Sequence, residues 1–282
     1  ACIYVVWLNL SGGEGGQSPV FYNLPVTAAM ALVLFHVSAP ADDRSSLRKV
    51  GLQAMMLFGL ALQIKYSVVF EGIALGLYLL WRSYSDDRSP RKTAMDGCFW
   101  VGVALLPTIV VALFYCALGY GQKWFFANVV SIFLRGHLSA AMLTHLKIKM
   151  LATTGPLLVG LVITASRAWK RRPSPAEILL ILWALSACAG VIIFGGWYYH
   201  YALPTYAPLA IMSAPLWSRK AGKIWLAGLL IVGTVCGQTS LYKHETENGD
   251  RRTYLALLSS MKTPSGCGVR YQGMPLLYDP PH

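Results

Sequence analysis

Long apolar runs alternate along the chain with short clusters of lysine and arginine. A membrane-spanning helix needs about 20 mostly apolar residues rising about 1.5 Å each, and shorter ones are tolerated when they tilt or pack inside a bundle. That rule places helices at residues 1–10 (partial), 20–37, 51–64, 66–81, 98–118, 150–167, 177–196, 203–217 and 223–240. About eight of them are expected to cross completely. The fold class is therefore all-α, a polytopic transmembrane helical bundle over residues 1–240. The first run opens on Ala1 rather than Met and is apolar from the start, so the bundle is expected to be N-terminally incomplete.

Lysine and arginine near helix ends are retained in the cytoplasm. The clusters Arg44/Arg48/Lys49, Arg82/Arg88/Arg91/Lys92, Arg167/Lys170/Arg171/Arg172 and Arg219/Lys220/Lys223 can all lie on that side at once. This requires residues 51–81 to cross twice, as a hairpin with its tip near Lys65 and Tyr66, rather than as one long tilted helix. The loop 11–19, the hairpin tip, the segment 119–149 and the turn 197–202 then share the outer side. Within 119–149 the stretch GQKWFFANVVSIFLRGH is too polar to span and reads as a helix lying along the outer interface. The tail 241–282 falls on the outer, periplasmic or lumenal side, and GVRYQGMPLLY reads as a strand and turn of a small, truncated extramembrane cap.

Composition agrees with lipid as the solvent. Hydrophobic residues make up 55% of the 282 positions and charged residues 13%, against roughly a quarter charged in soluble domains. The net charge of +12 could suggest nucleic acid, but the basic residues sit in short clusters between apolar runs rather than on one face, so no nucleic-acid partner is expected. Five of the six cysteines lie in apolar stretches without CxxC or Cys/His spacing, so no zinc site or disulfide framework follows.

A few polar groups at membrane depth are candidates for chemistry. Lys65 is either an anchor for a lipid phosphate or a lysine that snorkels to the headgroups. Glu71, six residues on, reads as a partner for another helix or as a functional group. WYYHYALP, residues 197–204, fits an interfacial aromatic belt, yet a belt does not need His200, whereas a sugar or phosphate site could use both its ring and Tyr201. The glycine-rich outer loop 10–25 carries Glu14, a candidate catalytic or metal-binding carboxylate, in a setting that is not a P-loop. Lys147 and Lys149, with Arg135 and His145, either touch headgroups or bind phosphate.

These segments resemble the GT-C membrane glycosyltransferases, in particular the family of protein O-mannosyltransferases and the bacterial lipid A aminoarabinose transferase. GLQAMMLFGLALQIKYSVVFEGIALGLYLLW resembles the family's glycine-rich hairpin with a central lysine, and YYHYALPTYAPLAIMSAPLW its aromatic-His-Tyr-Leu-Pro helix start. GVRYQGMPLLY is similar to its cap strand, and SGGEGGQSPVFYNLPVTAAMALVLF to the loop and helix before the hairpin. The resemblance implies transfer of a sugar from a polyprenyl-phosphate carrier to an acceptor on the outer face of a bacterial inner membrane. It implies that Lys65 and its neighbour Tyr66 hold the lipid phosphate and that His200 and Tyr201 line the same cavity, with Arg135 a further phosphate ligand candidate on its charge alone. The family's catalytic acid lies in an outer loop upstream of Ala1, and the acidic position expected before VFYNLP is Pro19 here, which leaves Glu14 as the candidate and a divalent metal open as cofactor. A transporter or flippase, a polymerase or ligase of lipid-linked sugars, and a non-catalytic scaffold are the alternatives.

Overall fold

A computed structural model describes residues 1–13, 16–40, 46–131, 139–195 and 197–248. Ten α-helices follow one another among these residues, with 3₁₀ turns after the third, eighth and ninth and a π turn after the sixth, and no strand. They are α1 (Cys2–Leu10), α2 (Ser18–Ser38), α3 (Leu47–Ile64), α4 (Val69–Asp87), α5 (Pro90–Ala117), α6 (Gly121–Phe125), α7 (Ala140–Lys170), α8 (Pro175–Phe194), α9 (Leu203–Ser213) and α10 (Lys220–Asn248). Six of them, α2, α3, α5, α7, α8 and α10, are long and apolar enough to cross a membrane. The protein is thus an all-α polytopic bundle and carries the signature of an integral membrane protein.

The helix starts are written locally. Ser89, Ser139 and Ser174 each accept a hydrogen bond from the first turn of α5, α7 and α8, and Pro90 and Pro175 stand where a helix needs no amide donor. At the start of α8, the Glu177 carboxylate accepts a hydrogen bond from the Ser174 amide and completes a capping box.

Two apolar cores run through the bundle. One joins α2, α3, α4, α5 and α8 through Tyr22, Met30, Phe58, Leu75, Trp100 and Trp183. The other joins α1, α7, α9 and α10 through Trp7, Leu157, Tyr206 and Leu229. The outward faces are apolar too: Leu24 and Phe35 on α2 are each 76% exposed and Ile231 on α10 is 66% exposed. Such faces suit hydrocarbon, where helices gain little from hiding leucine and associate through close packing of small residues.

The α3–α5 contact is the clearest case. A Cβ on Gly59 would lie 2.5 Å from the Ala104 carbonyl oxygen, and one on Gly51 would lie 2.3 Å from the Trp100 indole nitrogen. Gln63 on α3 adds a 2.8 Å hydrogen bond to Thr108 on α5.

Residues 51–81 do form a hairpin. Lys65 is extended, at φ −159° and ψ 127°, and the chain reverses through a 3₁₀ turn, Tyr66–Val68. Gly72 faces Phe58 while Gly76 faces Met55, so the register runs antiparallel. At the far end from this tip, Arg48 pairs with Asp96 at 3.4 Å, Ser83 donates to Asp96, and the Tyr78 hydroxyl donates to the Pro175 carbonyl. The described parts of the first three basic connections therefore gather at one end. Lys65, Gly12 and the turn after α8 gather at the other.

Some expected boundaries are corrected. Residues 203–217 are not one regular span: α9 has 11 residues and gives way to a 3₁₀ turn, Ala214–Ser218. The two together rise roughly 26 Å, and α9 is buried along most of its length. Pro208 removes an amide donor from inside α9, a gap tolerated where other helices wrap the site, while Pro204 and Pro215 open α9 and the 3₁₀ turn. In the segment 119–149, the described part of the expected interfacial stretch is helical, as α6 continued by the π-helical Phe126–Val130, while residues 140–149 belong to the unbroken α7. Its polar residues did not end the helix because Ser139 caps it and its lysines find aromatic partners. Helix α10 runs on to Asn248, into the tail expected from residue 241; the expected C-terminal strand, residues 132–138 and the rest of the tail lie outside the described residues.

Two outcomes check this architecture. With a cysteine introduced into a cysteine-free background, Gly16 and Gln122 react with an impermeant reagent from one side of the membrane, and Ser89 and Ser174 from the opposite side; labelling of Ser89 and Gly16 from the same side contradicts the fold. Gly59→Ala lowers the unfolding temperature in detergent, since overpacking against backbone costs about 1–3 kcal/mol. Gly228→Ala, where a Cβ meets nothing within 4 Å, leaves it unchanged or raises it.

Candidate functional site

The site forms where the hairpin tip meets the turn between α8 and α9. Neither glycine nor proline stands at the break between α3 and α4. Local propensity therefore does not explain it, and tertiary contacts hold the extended Lys65 in place. Its ammonium lies 4.7 Å from the centre of the Tyr201 ring, close enough for the negative face of the ring to attract it.

The opposing turn is built under strain. Gly195 ends α8 in the left-handed region at φ 63°, and Trp197 is held there as well, at φ 51°. A bulky residue in that conformation costs about 1–3 kcal/mol and persists only when its surroundings impose it. Those surroundings are visible. The Lys147 ammonium lies 5.1 Å from the Trp197 ring centre and that of Lys149 lies 4.7 Å from the Tyr199 ring centre. Gly12, at φ 70°, brings its backbone so close to Tyr199 that a Cβ there would lie 2.6 Å from the ring. The outer glycine loop thus seats an aromatic ring of this turn. Below it, Ser11 shares a hydrogen bond with the Tyr206 hydroxyl, and Asn23 of α2 donates to the Leu203 carbonyl at the start of α9.

Between tip and turn lies a narrow cleft lined by Tyr22, Lys65, Tyr66, Glu71, Ser186 and Tyr201 among others. Glu71 is only 2% exposed, and its Oε1 accepts a 2.8 Å hydrogen bond from the Trp183 indole of α8. A carboxyl so placed is a costly burial that the indole donor partly offsets. It ties α4 to α8 beneath the cleft.

His200 stands one layer away from the cleft. It is stacked on Tyr198 and packed edge-on against Tyr199 and Tyr201, with the Tyr201 ring centre 4.7 Å away. Burial first, and the Lys65 charge second, push the imidazole from its usual 6.5 down to about 4. It is therefore neutral at pH 7. An unfolded chain would protonate it near 6.5, so acidification through the range from 6.5 to about 4 withdraws stability from the fold.

Of the residues singled out in the sequence, Lys65, Tyr66 and Tyr201 line one cleft, and His200 buttresses it within range of the Lys65 charge. Glu14 and Arg135 lie outside the described residues. Tyr22, Ser186 and Trp183 were not anticipated. The only signal for them was a polar atom within an otherwise apolar helix, a signal shared by many packed residues. No group of three His, Cys, Asp or Glu side chains able to hold a metal gathers among the described residues. Comparison with known protein families, with curated proteins and with solved structures finds no match.

The coupling between hairpin and turn is measurable. The His200 imidazole titrates near pH 4 by NMR in detergent, and Lys65→Gln moves its pKa upward, because a positive neighbour has been removed. A midpoint near 6.5 in the unaltered protein would contradict this packing.

Proposed function

We propose that this protein is an integral-membrane glycosyltransferase that moves a sugar from a polyprenyl-phosphate carrier to an acceptor at the outer face of a bacterial inner membrane. The observation that carries the reading is the meeting of the Lys65 ammonium with Tyr201 at the mouth of a cleft between two apolar helix systems. A lysine at this depth is expensive unless it has work to do. A phosphate monoester suits it, because departure of the sugar leaves charge on that phosphate, and a fixed cation stabilises charge that develops in the transition state.

The lipid part of such a donor also has a path. An apolar groove between α3, α4 and α5, lined by Phe58, Leu62, Val69, Gly72, Gly76 and Leu105 among others, begins at Val68, one residue from Ser67 of the cleft. Gly72 and Gly76 line this groove on α4, facing Phe58 and Met55 of α3. On the sugar side, Tyr66 and Tyr201 offer rings for stacking. Glu71 is too deeply buried and too firmly engaged by Trp183 to meet an acceptor, so we assign it to holding the cleft. Activation of the acceptor hydroxyl falls to a carboxylate outside the described residues, with Glu14 the candidate within this chain.

Lys65→Ala weakens binding of polyprenyl phosphate by about 10- to 100-fold, the worth of a hydrogen bond to a charged group, and transfer falls in parallel while membrane insertion is unchanged. Lys65→Arg loses less, since the charge stays and only the donor geometry changes. Unaltered lipid-phosphate binding and transfer by Lys65→Ala would remove the basis for the reading.

A further inference from the structure

Helices α7 and α9 run side by side in the same direction. Lys149 of α7 meets Tyr199 just before α9, and further along a Cβ on Gly160 would lie 2.6 Å from the Ser213 hydroxyl. Beyond that contact each run ends in an exposed tryptophan followed by exposed cations. Trp169 precedes Lys170 and Arg172 at the end of α7, and Trp217 precedes Arg219, Lys220 and Lys223 where the 3₁₀ turn meets α10. Gly222 packs on the Leu216 carbonyl and folds the start of α10 back against that turn. The Tyr78 hydroxyl reaches Pro175, just after Arg172, so both groups stand at the Arg48–Asp96 end, opposite the cleft.

Charge and hydrogen bonding set these groups apart. Arg48, Arg82, Lys92 and Arg171 each pair with a carboxylate at this end, whereas Lys170, Arg172, Arg219, Lys220 and Lys223 have no acidic partner among the described residues. Lys220 and Lys223 stand in the first turn of α10, where the positive end of the helix dipole repels them and no acidic residue compensates. The buried Trp7, Trp100 and Trp183 donate their indole N–H groups to Thr153, Arg48 and Glu71. Those of Trp169 and Trp217 meet no acceptor among the described residues.

Position decides what covers them. Lys149 and Trp169 belong to one helix and lie about 30 Å apart along it, the thickness of a bilayer's hydrocarbon core. Trp169 is 93% exposed and stands about two turns beyond the exposed Val162 on the same face of α7. Lys220 likewise shares a face of α10 with the exposed Ile224 and Ile231. Those stripes suit hydrocarbon, so the tryptophan and lysine that continue them end in a headgroup layer, where indoles settle and cations meet lipid phosphates.

We propose that this surface docks anionic phospholipids of the leaflet at this end, with the cations on their phosphate diesters and Trp169 and Trp217 at the boundary between headgroups and chains. Neither Lys65 nor the cleft takes part, so the proposal stands independently of the transferase reading. A zwitterionic lipid offers the same phosphate but offsets it with its own ammonium, so surplus cations select lipids of net negative charge.

Purified protein in maltoside micelles is titrated with phosphatidylglycerol and, separately, with phosphatidylcholine of the same chains, and bound lipid is counted by native mass spectrometry. Phosphatidylglycerol binds about 10-fold more tightly. Lys170→Gln/Arg172→Gln/Arg219→Gln/Lys220→Gln removes most of that preference. Lys147→Gln/Lys149→Gln, at the opposite end, keeps it, as does the charge-preserving Lys170→Arg/Lys220→Arg. Equal binding of the two lipids by the unaltered protein, a preference undiminished by the fourfold change, or one lost with Lys147 and Lys149 instead overturns the proposal. A second measurement needs no change of charge. In vesicles, the emission lost in Trp169→Phe isolates Trp169, and brominated phosphatidylglycerol quenches it more than brominated phosphatidylcholine at equal mole fraction. Equal quenching by the two rejects the preference. Quenching by neither places Trp169 in water, which makes a soluble acidic partner the occupant and sinks the lipid surface.

Discussion

In hydrocarbon, a backbone amide or carbonyl without a partner costs several kcal/mol, and so does an ammonium without one. A chain can therefore reverse direction within a helical bundle only where other groups cover the exposed positions. Lys65 sits at such a reversal. Its extended backbone ends α3, its carbonyl accepts from the Val68 amide at 3.3 Å to start the return, and its side chain crosses to Tyr201. Because the tip needs the turn after α8 in order to exist, hairpin and turn become parts of one structure. The cleft is the space left between them.

The same dependence extends outward from that pair. Tyr201 belongs to a 3₁₀ turn whose preceding residue pair, Trp197 and Tyr198, must leave α8 through a left-handed residue. Gly12 makes room for Tyr199, and the serine before it holds Tyr206, so α1 and its loop fix the turn from one side while α7 fixes it from the other. Beneath the cleft, the Glu71–Trp183 hydrogen bond sets the spacing of α4 and α8. Polar contacts stand at both ends of the bundle, ion pairs such as Arg48–Asp96 at one and the cleft at the other, while α3 and α5 meet between them through glycine-sized gaps. Rigidity comes from close packing along the helices, and specific chemistry from the few polar atoms at the tip.

How much of this is legible in the sequence differs from element to element. Apolar runs announce helices because every backbone group must be satisfied inside the run itself, so α2, α3, α5, α8 and α10 follow from composition and length. The hairpin at Lys65 was legible for a different reason: only a double crossing kept the basic clusters on one side. By contrast, α7 extends ten residues beyond its apolar stretch through THLKIK, because its lysines are accommodated by rings 50 positions further along, which no local window contains. The short α9 is the opposite error, an apolar run whose prolines divide it into α-helix and 3₁₀ turn.

The site divides in the same way. By itself the sequence determined the solvent, the helical class, the two-sided distribution of charge, and the candidacy of Lys65, His200 and Tyr201, since each of these follows from the cost of placing a given group in lipid. Only the tertiary structure decided that Lys65 lies on Tyr201, that His200 stands behind the cleft rather than in it, that Trp183 answers Glu71, and that Lys147 and Lys149 reach the same turn. Those are pairings between residues far apart in the chain. The energy of a buried charge states that it needs a partner, but which partner it finds depends on how the helices pack.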